Sequence, residues 1–514
     1  IKYPIGQQDF KLLRESGSIY IDKTRYIQEI AESGSKYYFL ARPRRFGKSL
    51  FLSTLQYFFE GRRDLFKGLY IDTYNWDWMP HPVLRLDLNT DKFMDMGILD
   101  EVLLRNFNRW EEKYDIEHVD YSYTQRFAYI IEQVHQKTGR EVVILVDEYD
   151  KPLVGNINRH ENLEYYREKL ASLYSNFKSS AEHIRLVFLT GVSRFSKLSV
   201  FSDLNNLNDI TFDTVYSDIC GITEKELNAN FKEGIKLLGE KNKWSYEETC
   251  MMLKRNYDGY RFTEEGSDIY NPWSLLNCLQ KKKIDNYWVE TGKATLIAET
   301  LKMIDVDLEK TFDSYCMEKD LKGLDLLNPN AKALLFQTGY LTIKDYLQKF
   351  RRYRLGIPNE EVKAGLFEDL LPFYVKTKRS TPNEVISDVT FNFNIGRPDE
   401  AMYALQTYFA GIDYELKMEN ENNFHNAFFL LMDLMGLETK AEYHTSDGSI
   451  DILIKTQDFI YIIELKYDHS AESAIHQIEK KQYARPFNKD IRKLFKIGVS
   501  FSSKTRCIED WIIQ

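Results

Sequence analysis

The sequence predicts an α/β multidomain chain: a P-loop domain with a parallel sheet, a helical and winged-helix-like middle, and a smaller α/β domain at the C-terminus. Three observations carry that expectation. A short apolar run, Tyr37–Ala41, breaks at Arg42-Pro43 and re-enters order through Phe46-Gly47-Lys48-Ser49 into a helix-like segment. A second apolar run, Val142–Val146, ends in Asp147-Glu148. Near the C-terminus, Asp451 and a Glu464-x-Lys466 pair stand on two strand-like segments that follow a strongly apolar helix.

At 514 residues the chain exceeds what one hydrophobic core organises, and about three domains are expected, at 1–223, 224–400 and 401–514. A hydrophobic fraction of 43% with 29% charged residues is that of a globular chain, not a disordered one. The net charge of −9 excludes broad electrostatic attraction to nucleic acid, so any such contact must come from local patches. The five cysteines are scattered and spaced neither as a metal knuckle nor as a disulfide framework, which fits a reducing compartment. No apolar run approaches the length that spans a bilayer. A cytoplasmic location without a membrane role is therefore expected.

In chain order, residues 1–35 read as a turn, a short helix, a strand-like Ile19-Tyr20-Ile21 and a capped helix. Asp22, Lys23 and Thr24 either line a nucleotide base or cap that helix, and capping is the better reading. The strand, loop, Gly-Lys-Ser and helix that follow have the layout of a phosphate-binding loop. Such a loop aims free backbone N–H groups at an anion, and the helix dipole adds to the attraction. Arg44, Arg45, Phe46 and Gly47, with Lys48, Ser49 and Leu50 at the helix start, are the expected phosphate-binding residues. Lys48 would reach the β/γ-phosphates and the Ser49 hydroxyl would ligate magnesium. The pattern wants glycine at position 42, where the chain has Arg42.

Val83–Leu88 reads as a strand, 91–138 as helical, and Val142–Val146 as a buried strand. An acid at the carboxyl end of a central strand is where a nucleotide's metal is held. Asp147 would bind magnesium and Glu148 would orient and deprotonate the attacking water. A helix (163–183) and a buried strand ending at Thr190-Gly191 follow. Strands alternating with helices argue for a parallel sheet covered on both faces, with a strand inserted between the two motif-bearing ones. Thr190 would sense the γ-phosphate. Arg194 would touch it in the same site or from a neighbouring copy, or be a surface charge. Residues 211–223 supply the last strand, and Thr223 caps the next helix.

Residues 224–300 read as a helical lid, and 301–400 as a hairpin flanked by helices. There Lys349, Arg351, Arg352 and Arg354 form a basic patch, better explained as a solvated sheet edge than as a DNA contact. The third part begins near 401, with helices at 399–411 and 421–436. Asp451 and Glu464 then stand on a hairpin, and Glu464 and Lys466 share a strand face. Two carboxylates and a lysine so placed make a nuclease-like triad: the acids hold magnesium, and Lys466 positions water and offsets charge. Gln477 lies on the helix that follows. An ordinary solvated hairpin with alternating charges is the plain alternative.

The stretches YPIGQQDF, YIDKT, RPRRFGKSL, VVILVDEYDKP and LTGVSRFSK…LNNLNDIT resemble the bacterial AAA-ATPase-like family. FHNAFFLLMDLMG, SIDILI, IIELK and AIHQIEKKQYA resemble the PD-(D/E)XK nuclease superfamily domain that members carry at the C-terminus. The resemblance implies a P-loop ATPase using ATP and Mg2+, and a restriction-endonuclease-like domain of α-β-β-β-α-β order. It places a metal-binding acid of the first nuclease helix on Glu421, the metal acids on Asp451 and Glu464, the lysine on Lys466 and the helix glutamine on Gln477. Where relatives have Gly-Arg-x-Asp, this chain has Gly448-Ser449-Ile450-Asp451, which bears on phosphate handling. The expected activity is an ATPase whose cycle gates a magnesium-dependent DNA nuclease, in defence or mobile-element biology. The alternative is a nucleotide-operated switch that binds nucleic acid or partner proteins without cleavage. DNA and further copies of the chain are the expected partners.

Overall fold

The computed structural model describes residues 2–157, 159–195, 206–289, 295–325, 330–375, 382–412, 421–445 and 448–514. They fall into two compact units, one of residues 1–291 with 314–362, the other of 292–313 with 363–514.

In the first unit, β1 (Tyr37–Ala41), β2 (Val83–Asp87), β3 (Val142–Asp147), β4 (Ile184–Gly191) and β5 (Asn208–Asp209) form a sheet in the order β2-β3-β4-β1-β5. Every pairing is parallel. Each residue of β1 and β3 is buried, as the continuous apolar runs require of a sheet covered on both faces. Helices Lys48–Phe59, Ile98–Tyr114, Tyr123–Thr138 and His160–Ser179 supply the crossovers. β4 lies between the P-loop strand and the acidic strand in the sheet, whereas Val83–Asp87, which lies between them in the chain, takes the sheet edge. The parallel register aligns Asp87 with Asp147, and Leu40 with Thr190, so the strand ends carrying these groups form one edge.

Two local expectations are corrected. Ile19–Ile21 is not a strand; only a backbone bond from Ile19 N–H to the Lys2 carbonyl anchors its start. The last strand of the sheet is the two-residue β5, not 211–223. The later Thr214–Tyr216 is a 3-10 turn started by the Asp213 side chain, which accepts from Val215 N–H. Residues Ile222–Thr223 (β6) instead pair antiparallel with Ile269–Tyr270 (β7). Thr223 does cap Glu224–Asn230, in a reciprocal box with Glu226.

Farther along, β8 (Ser314–Cys316), helices Glu318–Lys322 and Ala331–Thr338, β9 (Thr342–Leu347) and β10 (Arg352–Gly356) follow one another. Their sheet has the order β8-β10-β9, with the hairpin as the wing. The basic patch lies at the wing tip and on β10. Because β10 is the central strand, it is not the free sheet edge the sequence suggested.

The second unit contains helices Pro398–Ala410 and Glu421–Leu434, then β11 (Glu438–Thr445), β12 (Gly448–Lys455), β13 (Phe459–Tyr467), helix Ala471–Lys480, β14 (Lys493–Ser502) and β15 (Cys507–Ile513). The sheet runs β11-β12-β13-β14-β15. β13 and β14 are parallel and the other pairs antiparallel. Leu453, Ile460 and Ile462 pack with Ile475, Ile478 and Tyr483 into one core. Strand alternation continues that face into Asp451 on β12 and Glu464 on β13. Among the described residues no helix is long and apolar enough to cross a membrane.

Candidate functional site

The P-loop is built by two left-handed residues, Arg45 (φ 67°) and Gly47 (φ 99°). Such a conformation costs little in glycine and turns successive N–H groups toward one side. The helix starts at Lys48, and the Lys48 ammonium folds back to donate to the carbonyls of Arg42 (3.0 Å) and Pro43 (3.1 Å). It also lies 3.9 Å from the Glu148 carboxylate. Ser49 is half-buried at the start of this helix.

Across the sheet edge, the Thr190 hydroxyl donates to Asp147 Oδ1 at 2.7 Å, and Arg85 Nη2 lies 3.6 Å from Asp147 Oδ2. The proposed sensor and the proposed metal acid thus touch directly. Glu148 adopts a left-handed backbone (φ 54°), a conformation that non-glycine residues hold only when surroundings enforce it. Asp87, in register with Asp147, has its carboxyl pushed up, first by burial.

Arg42 turns away from the nucleotide side. Its guanidinium is fully buried and donates to the carbonyls of Ala41 (2.9 Å), Thr211 (2.8 Å) and Tyr216 (3.2 Å). It lies 4.3 Å from the centre of the Phe262 ring. The neighbouring arginines are engaged too. Arg44 donates to the Tyr340 hydroxyl (3.3 Å) and covers the Trp288 ring, while Arg45 sits 4.3 Å over Trp273. The loop is therefore less of a free cationic cradle than its composition suggests. Phe46 is buried against Tyr260 and Phe262, and Leu50 is half-buried.

A mostly apolar slot of about 90 Å³ opens beside Gly47, lined by Ile19, Ile21, Lys23, Phe46, Leu50 and Ile222 among others. Lys23 is held by both oxygens of Glu226, at 2.7 and 2.8 Å. Asp22 accepts from Thr24 N–H and hydroxyl and from Tyr70 N–H. Asp22 thus ties local backbone together without capping the helix Arg25–Glu32, whose N-cap Thr24 makes no side-chain capping bond, and Lys23 borders the slot.

Sequence reasoning missed Asp150 and Gln337. The buried Asp150 accepts from the N–H groups of Val192 (3.0 Å) and Ser193 (2.6 Å), tying the loop after Asp147 to the loop after Thr190. Burial, then the nearby Glu148, pushes its carboxyl up to about 7. The acid-rich Asp147-Glu148-x-Asp150 run was a legible signal for it; Gln337 had none. Arg194 forms a 2.6 Å ion pair with Asp209, and its backbone N–H donates to Gln337.

In the second unit, Asp451 Oδ2 accepts from Leu465 N–H at 2.8 Å. Glu464 Oε1 accepts from Lys466 Nζ at 3.1 Å and from Gln477 Nε2. Four of the five expected residues therefore converge on one spot. Glu421 opens its helix, but its side chain lies outside the described residues, as does that of Ser449. Burial, then the Asp451 charge, pushes the Glu464 carboxyl up. Its Oε2 is buried without a hydrogen-bond partner.

Two carboxylates with a bare, buried oxygen fit magnesium, which takes one or two protein carboxylates and completes its shell with water and phosphate. Among the described residues no group of three or more His, Cys, Asp and Glu gathers as a metal cage, consistent with so open a site. At the P-loop, Ser49 and Asp147 offer the same hard oxygen donors.

Comparison with known proteins agrees with this division. Residues 4–201 match a family model described as predicted AAA-ATPase. Residues 419–511 match the PD-(D/E)XK nuclease superfamily. An uncharacterized protein in the vnfD 5'region of Azotobacter chroococcum mcd 1 is 34% identical over 529 residues, spanning 100% of this chain and 99% of its own length.

Proposed function

Because the chain belongs to the predicted AAA-ATPase family that carries a PD-(D/E)XK nuclease superfamily domain, we propose that it binds and hydrolyses ATP and cleaves DNA with magnesium, the first activity gating the second. The nuclease reading is carried by the convergence of Asp451, Glu464, Lys466 and Gln477, with Glu464 Oε2 left bare.

Asp451 and Glu464 would hold magnesium, which when bound makes water a better nucleophile and offsets phosphate charge. Gln477 fixes the Glu464 carboxylate, and Lys466 stands ready to hold the attacking water and the developing negative charge. In the other unit, Lys48 and the N–H groups of the P-loop would take the ATP phosphates, and the slot beside Gly47 would take the base. Glu148 would draw the proton from water, with Ser49 and Asp147 holding magnesium. Defence against foreign DNA or mobile-element maintenance suits such a gated nuclease.

The test is cleavage of supercoiled plasmid and single-stranded DNA with magnesium, with and without ATP, in wild type, Lys48→Ala and Glu464→Ala. Glu464→Ala is expected to abolish cutting and leave ATP turnover intact. Lys48→Ala is expected to abolish ATP turnover and the response of cutting to ATP. ATP turnover without any cutting would reduce the C-terminal domain to a binding role.

A further inference from the structure

The winged-helix-like segment returns to the nucleotide site. In helix-turn-helix modules the second helix is the one presented to the DNA major groove. Here the helix in that position, Ala331–Thr338, has Ala331, Ala333, Leu334, Leu335, Phe336 and Gln337 all buried. A helix buried over most of its surface belongs to an interior, and this one packs against the loops of the ATP site. Phe336 stacks on Phe212 with ring centres 5.7 Å apart.

Gln337 makes the polar part of that contact. Its Oε1 accepts from Arg194 N–H at 3.0 Å. Its Nε2 donates to the Leu321 carbonyl at 2.8 Å and toward the Arg194 carbonyl at 3.4 Å. Leu324 N–H donates to the same Arg194 carbonyl at 2.9 Å. Both backbone groups of Arg194 are thus held by a segment far away in sequence. The helix then ends at Gly339 (φ 91°), where a Cβ would stand 2.7 Å from Pro43 of the P-loop. The next residue, Tyr340, accepts from Arg44, and Trp288 Nε1 donates to the Arg44 carbonyl at 3.1 Å. One short stretch, 337–340, therefore grips both the loop after Thr190 and the P-loop.

We propose that Gln337 is a positioning residue of the ATP site, which fixes Arg194 relative to the P-loop through the helix Ala331–Thr338. The inference rests on the ATP reading above. Arg194 cannot shift its backbone without breaking buried hydrogen bonds, and the helix that supplies them cannot shift without disturbing Pro43 and Arg44. The wing module acts as an internal strut for nucleotide chemistry, with its would-be reading helix committed to that contact.

The test is steady-state ATP turnover by the full chain in wild type, Gln337→Leu, Arg194→Ala and the double variant, with urea unfolding of each. Leucine keeps the volume and removes every hydrogen bond. Gln337→Leu is expected to lower kcat about 10- to 100-fold and to change KM less than about 3-fold, since uniform binding is untouched. If the two residues act as one unit, the double variant is no slower than the worse single variant. A general packing role would instead give losses that multiply. Should Gln337→Leu fail to fold, Gln337→Glu, which keeps an acceptor for Arg194 N–H and loses both donated bonds, serves in the same cycle. Unchanged kcat, or fully multiplicative losses, overturns the inference while the ATP reading stands. A wild-type chain that turns over no ATP overturns both.

Discussion

Arg42 occupies the place where a P-loop pattern calls for glycine, so Arg42→Gly sets the pattern against the structure. The substitution removes a donor to three buried carbonyls, those of Ala41, Thr211 and Tyr216. The Tyr216 carbonyl keeps the Ile219 N–H as a donor; each of the other two left dry costs about 1–3 kcal/mol, or roughly 4 kcal/mol together. Loss of the desolvated guanidinium–ring contact with Phe262 adds about 1–2 kcal/mol. Against this, glycine relieves the penalty of holding a charge in the interior. Burial drags the Arg42 guanidinium down to about 10, a shift of order 3 kcal/mol. The balance is a loss of about 2–3 kcal/mol, at the upper end of ordinary single substitutions. Urea unfolding of the full chain followed by tryptophan fluorescence reads it as an earlier first transition, because the first unit melts sooner. ATP affinity, measured below that transition, should not improve. An Arg42→Gly chain as stable as wild type, or one that binds ATP more tightly, would refute the view that Arg42 is an interior staple.

Three further outcomes follow from the geometry. Glu464 keeps its proton up to about 7 in the folded chain against 4.5 for an ordinary glutamate. The folded state therefore binds more protons between those values, and its stability falls as pH rises through that window. Melting temperatures without metal should decline there in wild type, stay flatter in Glu464→Gln, and recover in wild type when magnesium is added; a rising wild-type profile would contradict the assignment. Gly191→Ala would place a Cβ 2.7 Å from Asp150 Oδ1 and from the Tyr149 ring, forcing the loops apart at about 1–3 kcal/mol. Melting and ATP turnover should both drop, and an undisturbed variant would show that the two loops are not packed as described. Thr190→Val removes the donor to the buried Asp147 at nearly the same volume; stability should fall by about 1–3 kcal/mol and ATP turnover by about 10-fold, and unchanged turnover would leave Thr190 without a role.

Much of the layout was legible because it is written in local runs. The continuous burial of Tyr37–Ala41 and Val142–Asp147 follows from unbroken apolar stretches. The meeting of Asp451, Glu464 and Lys466 follows from strand alternation across one hairpin. The failures share a different cause. The two-residue β5 is too short to have a period, whereas the longer apolar stretch after it has the look of a strand. The direction of Arg42 is set by carbonyls of Thr211 and Tyr216, far along the chain, and no local pattern reports a carbonyl in need of a donor. Composition gave three consecutive residues of loop chemistry as Arg44-Arg45-Phe46, yet Trp288, Trp273 and Tyr260 decide where those side chains lie.

Gln337 is the limiting case. Its segment, AKALLFQT, reads as an ordinary apolar helix with a polar residue near its end, and nothing nearby hints that the amide is spoken for. Its partner is the backbone of Arg194, and a backbone partner leaves no mark in the partner's own residue type. Asp150 differs in one respect: it too accepts from backbone N–H groups, but it sits three residues from Asp147 in an acid-rich run. A buried side chain that holds a distant main chain can thus be essential to a site and still be silent in sequence, unless chance places it beside a motif. That asymmetry makes the buried amides and carboxylates facing the ATP-site loops, more than the motif residues, the places where the structure adds to the sequence.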